Sequence, residues 1–108
     1  MAKYLLIESR DPFESNDASH FYRLAADLAK GRHEVTFFLV QNGVLPARAG
    51  AEAGVLDELR SAGVEILADD FSLKERGIRN ERLAPQIAAA SLDAVIDRLA
   101  EGRTTLWH

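Results

Sequence analysis

Short apolar runs and amphipathic stretches alternate along this chain. Residues 3–8 (KYLLIE) form a mostly apolar run with no room for a helix before the polar stretch Ser9 to Asn16, so they predict a strand. Ser15, Asn16 or Asp17 can cap a following helix, with Phe21, Leu24, Ala25 and Leu28 on one face and Lys30-Gly31 as its stop. Glu34 to Val40 (EVTFFLV) is β-branched and aromatic, and apolar on both faces at its centre, the pattern of a central strand in a parallel sheet. Gln41 to Gly54 contains three glycines and Pro46 and reads as a loop with a turn of helix around Ala47 to Ala51, long enough to form a binding edge.

In the second half, Val55, Leu56, Leu59 and Ala62 make a helical stripe that stops at Gly63. Val64, Ile66 and Leu67 then suit a buried strand, which ends on two adjacent acids, Asp69 and Asp70, and passes straight into a helical turn closed by Gly77. Arg79 to Arg82 is polar, and the residue before Pro85 is pushed out of helix, so a short extended segment is expected within Pro85 to Ala90. Ser91 can cap a last helix with Leu92, Val95, Ile96 and Leu99 as its apolar stripe, and Thr104 to Trp107 reads as a terminal strand.

This alternation predicts an α/β fold, a three-layer α/β/α single domain over residues 1–108 with a mostly parallel five-stranded sheet and right-handed crossovers. Sheets of this kind bind ligands at the carboxyl ends of their strands. Those ends collect Glu8, Ser9, Arg10 and Asp11, then Gln41 and Asn42, then Asp69, Asp70 and Ser72. The candidate binding residues are therefore Arg10, Asp11, His20, Gln41, Asn42, Asp69, Asp70 and Ser72, on a rim of mixed charge suited to a small-molecule ligand.

Composition narrows the chemistry. With 108 residues, 47% of them hydrophobic, the chain can bury a core without metal or disulfide staples. Thirteen basic and seventeen acidic side chains, mixed along the chain, give a net charge of -4 and no electrostatic footprint for nucleic acid. The absence of cysteine excludes disulfides, thiolate nucleophiles and cysteine metal sites. No apolar segment is long enough to span a membrane and the N-terminus is not signal-like, so a cytoplasmic protein without a cofactor is expected.

At the corner after the third strand, one acid has a structural duty: Asp69 or Asp70 can cap the next helix by accepting from its unpaired backbone N–H groups. The other has no such obligation, and the helix macrodipole keeps it ionised, which suits a cation, a hydroxyl or an arginine as its guest. His20 reads either as a surface or capping histidine or as a third ligand beside Asp69 and Asp70. His33 and His108 read as solvent-facing, and no HxH, HxxxH or HxxE spacing marks a metal site. Arg10 and Asp11 form either a rim salt bridge or a substrate clamp, and Asn42-Gly43 a turn after a strand.

The segments KYLLIES, DASHFYRLAADLAKGRHEVTFFLVQNGV, SAGVEILADDFSLKERGI and SLDAVIDRLAEGRTTLWH, in this order, resemble the DsrE/DsrF family of sulfur-relay proteins, which includes TusD-like sulfur carriers. In catalytic members a cysteine at the corner takes up sulfur as a persulfide. Counting back from the Arg-Gly pair puts that position on Asp69, and in some members the cysteine lies nearer Ser72. A helix N-terminus suits a thiolate because it lowers the thiol pKa, and a carboxylate cannot replace it. The family assembles as trimers and hexamers, including mixed complexes with cysteine-less subunits. The resemblance thus implies a non-catalytic binding or assembly subunit, as a homo-oligomer or with related DsrE/DsrF-like subunits. The alternative from the residues themselves is a small-molecule or metal-dependent enzyme using the rim around Asp69 and Asp70.

Overall fold

Five strands and four α-helices alternate in a computed structural model that describes residues 2–51 and 54–108. The order is β1 (Lys3–Glu8), α1 (Asn16–Lys30), β2 (Glu34–Leu39), α2 (Gly54–Ala62), β3 (Glu65–Asp69), α3 (Asp70–Glu75), β4 (Ile87–Ala90), α4 (Leu92–Ala100) and β5 (Thr104–Trp107). The strands form one sheet in the order β4-β3-β2-β1-β5, and every neighbouring pair is parallel. The expected three-layer α/β/α architecture is therefore present, with a wholly parallel sheet.

Alternation along the strands sorts the core into two clusters. Leu6, Val35, Phe37, Leu39, Ile66 and Ala68 face one way, where Tyr22, Ala25 and Ala26 of α1, Leu56 and Leu59 of α2 and Leu73 of α3 cover them. Leu5, Ile7, Phe38 and Leu67 face the other way and meet Ala94 and Val95 of α4, with Val40 and Ala90 alongside. The division follows from crossover handedness. The path from β1 to β4 steps one way across the sheet and the return from β4 to β5 runs back, so right-handed crossovers put their helices on opposite faces.

Two helices differ in orientation from the sequence expectation. On α1 the buried positions are Ala18, Tyr22, Ala25 and Ala26, whereas Leu24 is exposed and Phe21 and Leu28 are half-buried. Small alanines let this helix lie close to the sheet, which rotates the larger residues to the margin. On α4 three of the four predicted stripe residues are turned outward: Leu92 and Ile96 are 60% exposed and Leu99 is 50% exposed, while the fourth, Val95, packs inward with Ala94. A single nine-residue helix crosses this face of a five-stranded sheet.

The loop after β2 is also more ordered than expected. A 3₁₀ turn runs over Gln41–Ala47, earlier than the helical turn anticipated around Ala47 to Ala51. The stripe of α2 buries Leu56 and Leu59 as expected, and the Val55 side chain lies outside the described residues. β4 fills the extended segment after Pro85, and Ser91 caps α4 by accepting from the Asp93 N–H at 3.2 Å.

At the amino ends of the strands, Arg103 ties the last strand to the sheet. It donates to the Tyr4 carbonyl at 3.2 Å and to Thr36 Oγ1 at 3.0 Å, and pairs with Glu34 and Glu101 at 2.8 Å each. Thr36 Oγ1 donates to Glu65 Oε1 at 2.7 Å, and Arg98 donates to both Glu65 oxygens. Burial pushes the Glu65 carboxyl up, but hydrogen bonds from Arg98 and Thr36 and the charges of Arg98 and Arg103 outweigh it and hold the group below its usual range.

Candidate functional site

The strand carboxyl ends carry two separate polar clusters. The first is the corner between β3 and α3. Asp69 is the N-cap of α3: its Oδ2 accepts from the Ser72 N–H at 3.0 Å and from the Ser72 hydroxyl at 2.6 Å. Ser72 Oγ in turn accepts from the Gln41 N–H at 2.8 Å. Gln41 adopts a left-handed φ of 55°, which aims its amide at the corner rather than along the strand. Asp69 is 4% exposed and Ser72 2% exposed, so the corner is filled by its own side chains. It is buried without being hydrophobic, because its hydroxyl and two backbone amides are all engaged.

Asp70, the acid without a capping duty, is half-buried and forms an i,i+4 pair with Lys74 at 3.4 Å. Its guest is thus a lysine of its own helix. Asn42 Oδ1 accepts from Arg76 Nε at 3.1 Å and Nη2 at 3.0 Å, while Arg76 Nη1 donates to the Ser72 carbonyl at 3.2 Å. Arg76 thereby links the loop after β2 to the first turn of α3.

The second cluster lies at the ends of β1 and β5. Glu8 is fully buried, and His108 Nδ1 lies 2.7 Å and 3.0 Å from its two carboxylate oxygens. The His108 carbonyl accepts from the Ser9 N–H and hydroxyl, and its ring stacks near Phe21 at 5.4 Å. Burial raises the Glu8 carboxyl above its ordinary value, partly offset by the hydrogen bond and charge of His108 and by the Arg10 and Ser9 amides. The nearby Tyr22 hydroxyl is buried with no hydrogen-bond partner among the described residues. Burial, with the charges of Glu8 and Asp11, pushes its phenol up as well.

His108 is therefore not the solvent-facing residue expected, because it supplies the polar partner that a carboxylate at the end of a buried strand requires. Nor is His33 free in solvent: its Nδ1 accepts from the Ala2 N–H at 3.1 Å and its ring meets Tyr4 edge-on. Arg10 and Asp11 do not pair. Asp11 is buried and accepts from the Phe13 N–H at 3.1 Å through Oδ1, while its carbonyl accepts from Glu14 and Ser15, so it shapes the turn into α1. Arg10 is exposed. The Asn42-Gly43 turn has a stricter cause than turn geometry, since a Cβ on Gly43 would sit 2.2 Å from the Glu8 carbonyl oxygen.

The structure thus brings together Asp69, Ser72 and Gln41, and separately Asn42 with Arg76. His20 is exposed on α1 with no side-chain partner among the described residues. No group of three or more histidine, aspartate or glutamate side chains among the described residues could hold a metal ion. This separation does not favour a metal-dependent or small-molecule enzyme built on the Asp69/Asp70 rim.

A model of the DsrE/DsrF-like family matches residues 2–107. The chain belongs to that family. Among solved structures it is similar to the ychN protein from E. coli, with a TM-score of 0.89 and 18% identity over 100% of both chains. It is also similar to MTH1491 from Methanobacterium thermoautotrophicum, a protein of unknown function, with a TM-score of 0.80 and 21% identity over 100% of both chains. BT1422 from Bacteroides thetaiotaomicron, a conserved protein of unknown function, has a TM-score of 0.77 and 16% identity over 98% of this chain and 94% of its own. At these identities the likeness is one of fold. Comparison with curated protein sequences gave no match. This DsrE/DsrF-like chain has no cysteine, and no helix among its described residues is long and apolar enough to cross a membrane.

Proposed function

We propose that this chain is a cysteine-free DsrE/DsrF-like subunit that serves a cytoplasmic sulfur relay by assembly rather than by carrying the persulfide itself. The observation that supports this most directly is the occupied corner. The position assigned to the family's cysteine holds Asp69, whose carboxylate is hydrogen-bonded to Ser72, and a carboxylate cannot form a persulfide. The outward apolar residues of α4, with Phe71 and Trp107 each 67% exposed, support assembly as a trimer or hexamer of like or related subunits.

Two measurements test this reading. Purified protein is incubated with a low-molecular-weight persulfide donor and an acceptor thiol. The expected rate of sulfur transfer equals that without protein, while Asp69→Cys gains the mass of one sulfur atom on its new thiol. Transfer by the unaltered chain above the uncatalysed rate overturns the non-catalytic role. Light scattering is expected to show an oligomer that Ile96→Glu dissociates, and a monomer at all concentrations refutes the assembly role.

A further inference from the structure

A basic groove lies beside the corner but is not part of it. Its cavity, about 510 Å³, is lined by Arg48, Arg76, Arg79 and Arg82 with the chain at Ala49 and Gly77, and no carboxylate lines it. In a chain of net charge -4, four arginines line one space. Such a grouping is repulsive unless carboxylates or a bound anion offset it.

The surrounding backbone is fixed by long-range hydrogen bonds. The Ala49 N–H donates to the Arg82 carbonyl at 2.6 Å and the Ala84 N–H to the Ala47 carbonyl at 2.8 Å, with an antiparallel bridge between Arg48 and Leu83. Gly77, at a φ of 67°, turns the chain out of α3 beside the groove that it helps to line. Two of the arginines are aimed mainly by uncharged acceptors. Arg48 Nε donates to the Leu45 carbonyl at 2.9 Å, and Arg76 is held by Asn42 Oδ1 and the Ser72 carbonyl. Acceptors of this kind set a guanidinium's direction without cancelling its charge.

The acids nearby leave most of that charge uncompensated. Glu75 approaches Arg76 at 3.7 Å, while Asp70 and Glu81 line the adjoining cavity with Lys74. Arg48, Arg79 and Arg82 have no ion-pair partner among the described residues.

We infer that this groove is a binding site for a small tetrahedral oxyanion carrying two negative charges, as inorganic phosphate or sulfate or as the phosphate monoester of a small molecule. Guanidinium forks match the oxygen edges of such anions with paired N–H donors. The cavity volume lies in the range of small-molecule sites, about 300–1,000 Å³. Arg76 also places the groove in contact with the Asp69–Ser72 corner, because the same side chain that lines the groove donates to the Ser72 carbonyl.

The test is an amide NMR titration of the full chain with inorganic phosphate, inorganic sulfate and phenyl phosphate. Saturable shifts are expected at Ala49, Gly77 and Ile78, with a Kd of about 1 mM or below at low salt, weakening as sodium chloride is added. Tighter binding of phenyl phosphate identifies an ester as the ligand type, and equal binding identifies the free anion. Arg79 and Arg82 are exposed, so the double variant Arg79→Ala/Arg82→Ala should fold and should bind about tenfold more weakly for each arginine removed. No saturation by about 10 mM of all three anions overturns the site. So do shifts centred elsewhere, binding undiminished in the double variant, or a response to heparin alone. None of these outcomes bears on the sulfur-transfer or light-scattering results above.

Discussion

Replacing Asp69 with alanine should cost far more than an ordinary helix cap. Loss of the N-cap bond to the Ser72 amide at 3.0 Å costs about 0.5–2 kcal/mol. The Ser72 hydroxyl, 2% exposed and now without its acceptor, adds about 1–3 kcal/mol for a buried unsatisfied donor. A combined loss of about 2–4 kcal/mol is expected, since the two effects share one residue and do not add fully. For a chain of this length that lowers Tm by about 4 °C per kcal/mol. Asp69→Asn keeps an acceptor and should lose no more than about 1 kcal/mol. Urea unfolding followed by circular dichroism, at one fixed protein concentration because any assembly would add to stability, measures both. A loss below about 0.5 kcal/mol for the alanine variant would show that the carboxylate does not hold the corner, and equal large losses for alanine and asparagine would show that a neutral acceptor cannot replace it.

Gly43→Ala should destabilise by about 2 kcal/mol or more, because the new Cβ meets the Glu8 carbonyl, which is backbone in a buried strand and cannot move aside; thermal melts check it. Glu8 gives a pH signature. Its folded value is raised above the ordinary 4.5, so its contribution is fully present below that value and is lost as pH rises through the raised folded value. Glu8→Gln should therefore gain on the unaltered chain as pH rises from 4 toward neutrality, as read by denaturant midpoints. Arg103→Ala should cost about 2–3 kcal/mol, since it removes four acceptors' partner from a side chain only 6% exposed. Lys30→Ala, which breaks an exposed pair with Glu58, should change stability by less than about 0.5 kcal/mol in the same assay.

The strands and helices were legible because their signals are local. Five apolar runs of the right length, Gly63 and Gly77 at positive φ, and Ser91 and Asp69 as caps all mark boundaries in a few residues. Helix rotation was harder. On α1 the predicted Ala25 is buried, but with Ala18, Tyr22 and Ala26, whereas a pattern weighted by hydrophobicity adds Phe21, Leu24 and Leu28. On α4 the same weighting expects Leu92, Ile96 and Leu99 inside, although they stay exposed among the described residues. The site divided in the same way. Asp69, Ser72 and Asp70 sit within one helical turn and could be read together. The Glu8–His108 pair depends on β5 adding beside β1, which no local pattern announces. A lone acid ending an apolar strand was nevertheless a sign that some partner must reach it. Arg76 was missed because its acceptor, Asn42, comes from a different crossover.

The neighbour that completes β1 is the strand farthest from it along residues 1–108. β1 is made well before β5, so its β5 side stays open until residues 104–107 arrive, and Glu8 waits 100 residues for His108. Loop closure over such a span is slow, and early folding has to proceed through β1, β2 and β3 with one ladder of β1 unpaired. A nascent chain halted before residue 104 would therefore present both a bare strand edge and an uncompensated carboxylate. The arrival of β5 is thus the step that completes the pairing of β1.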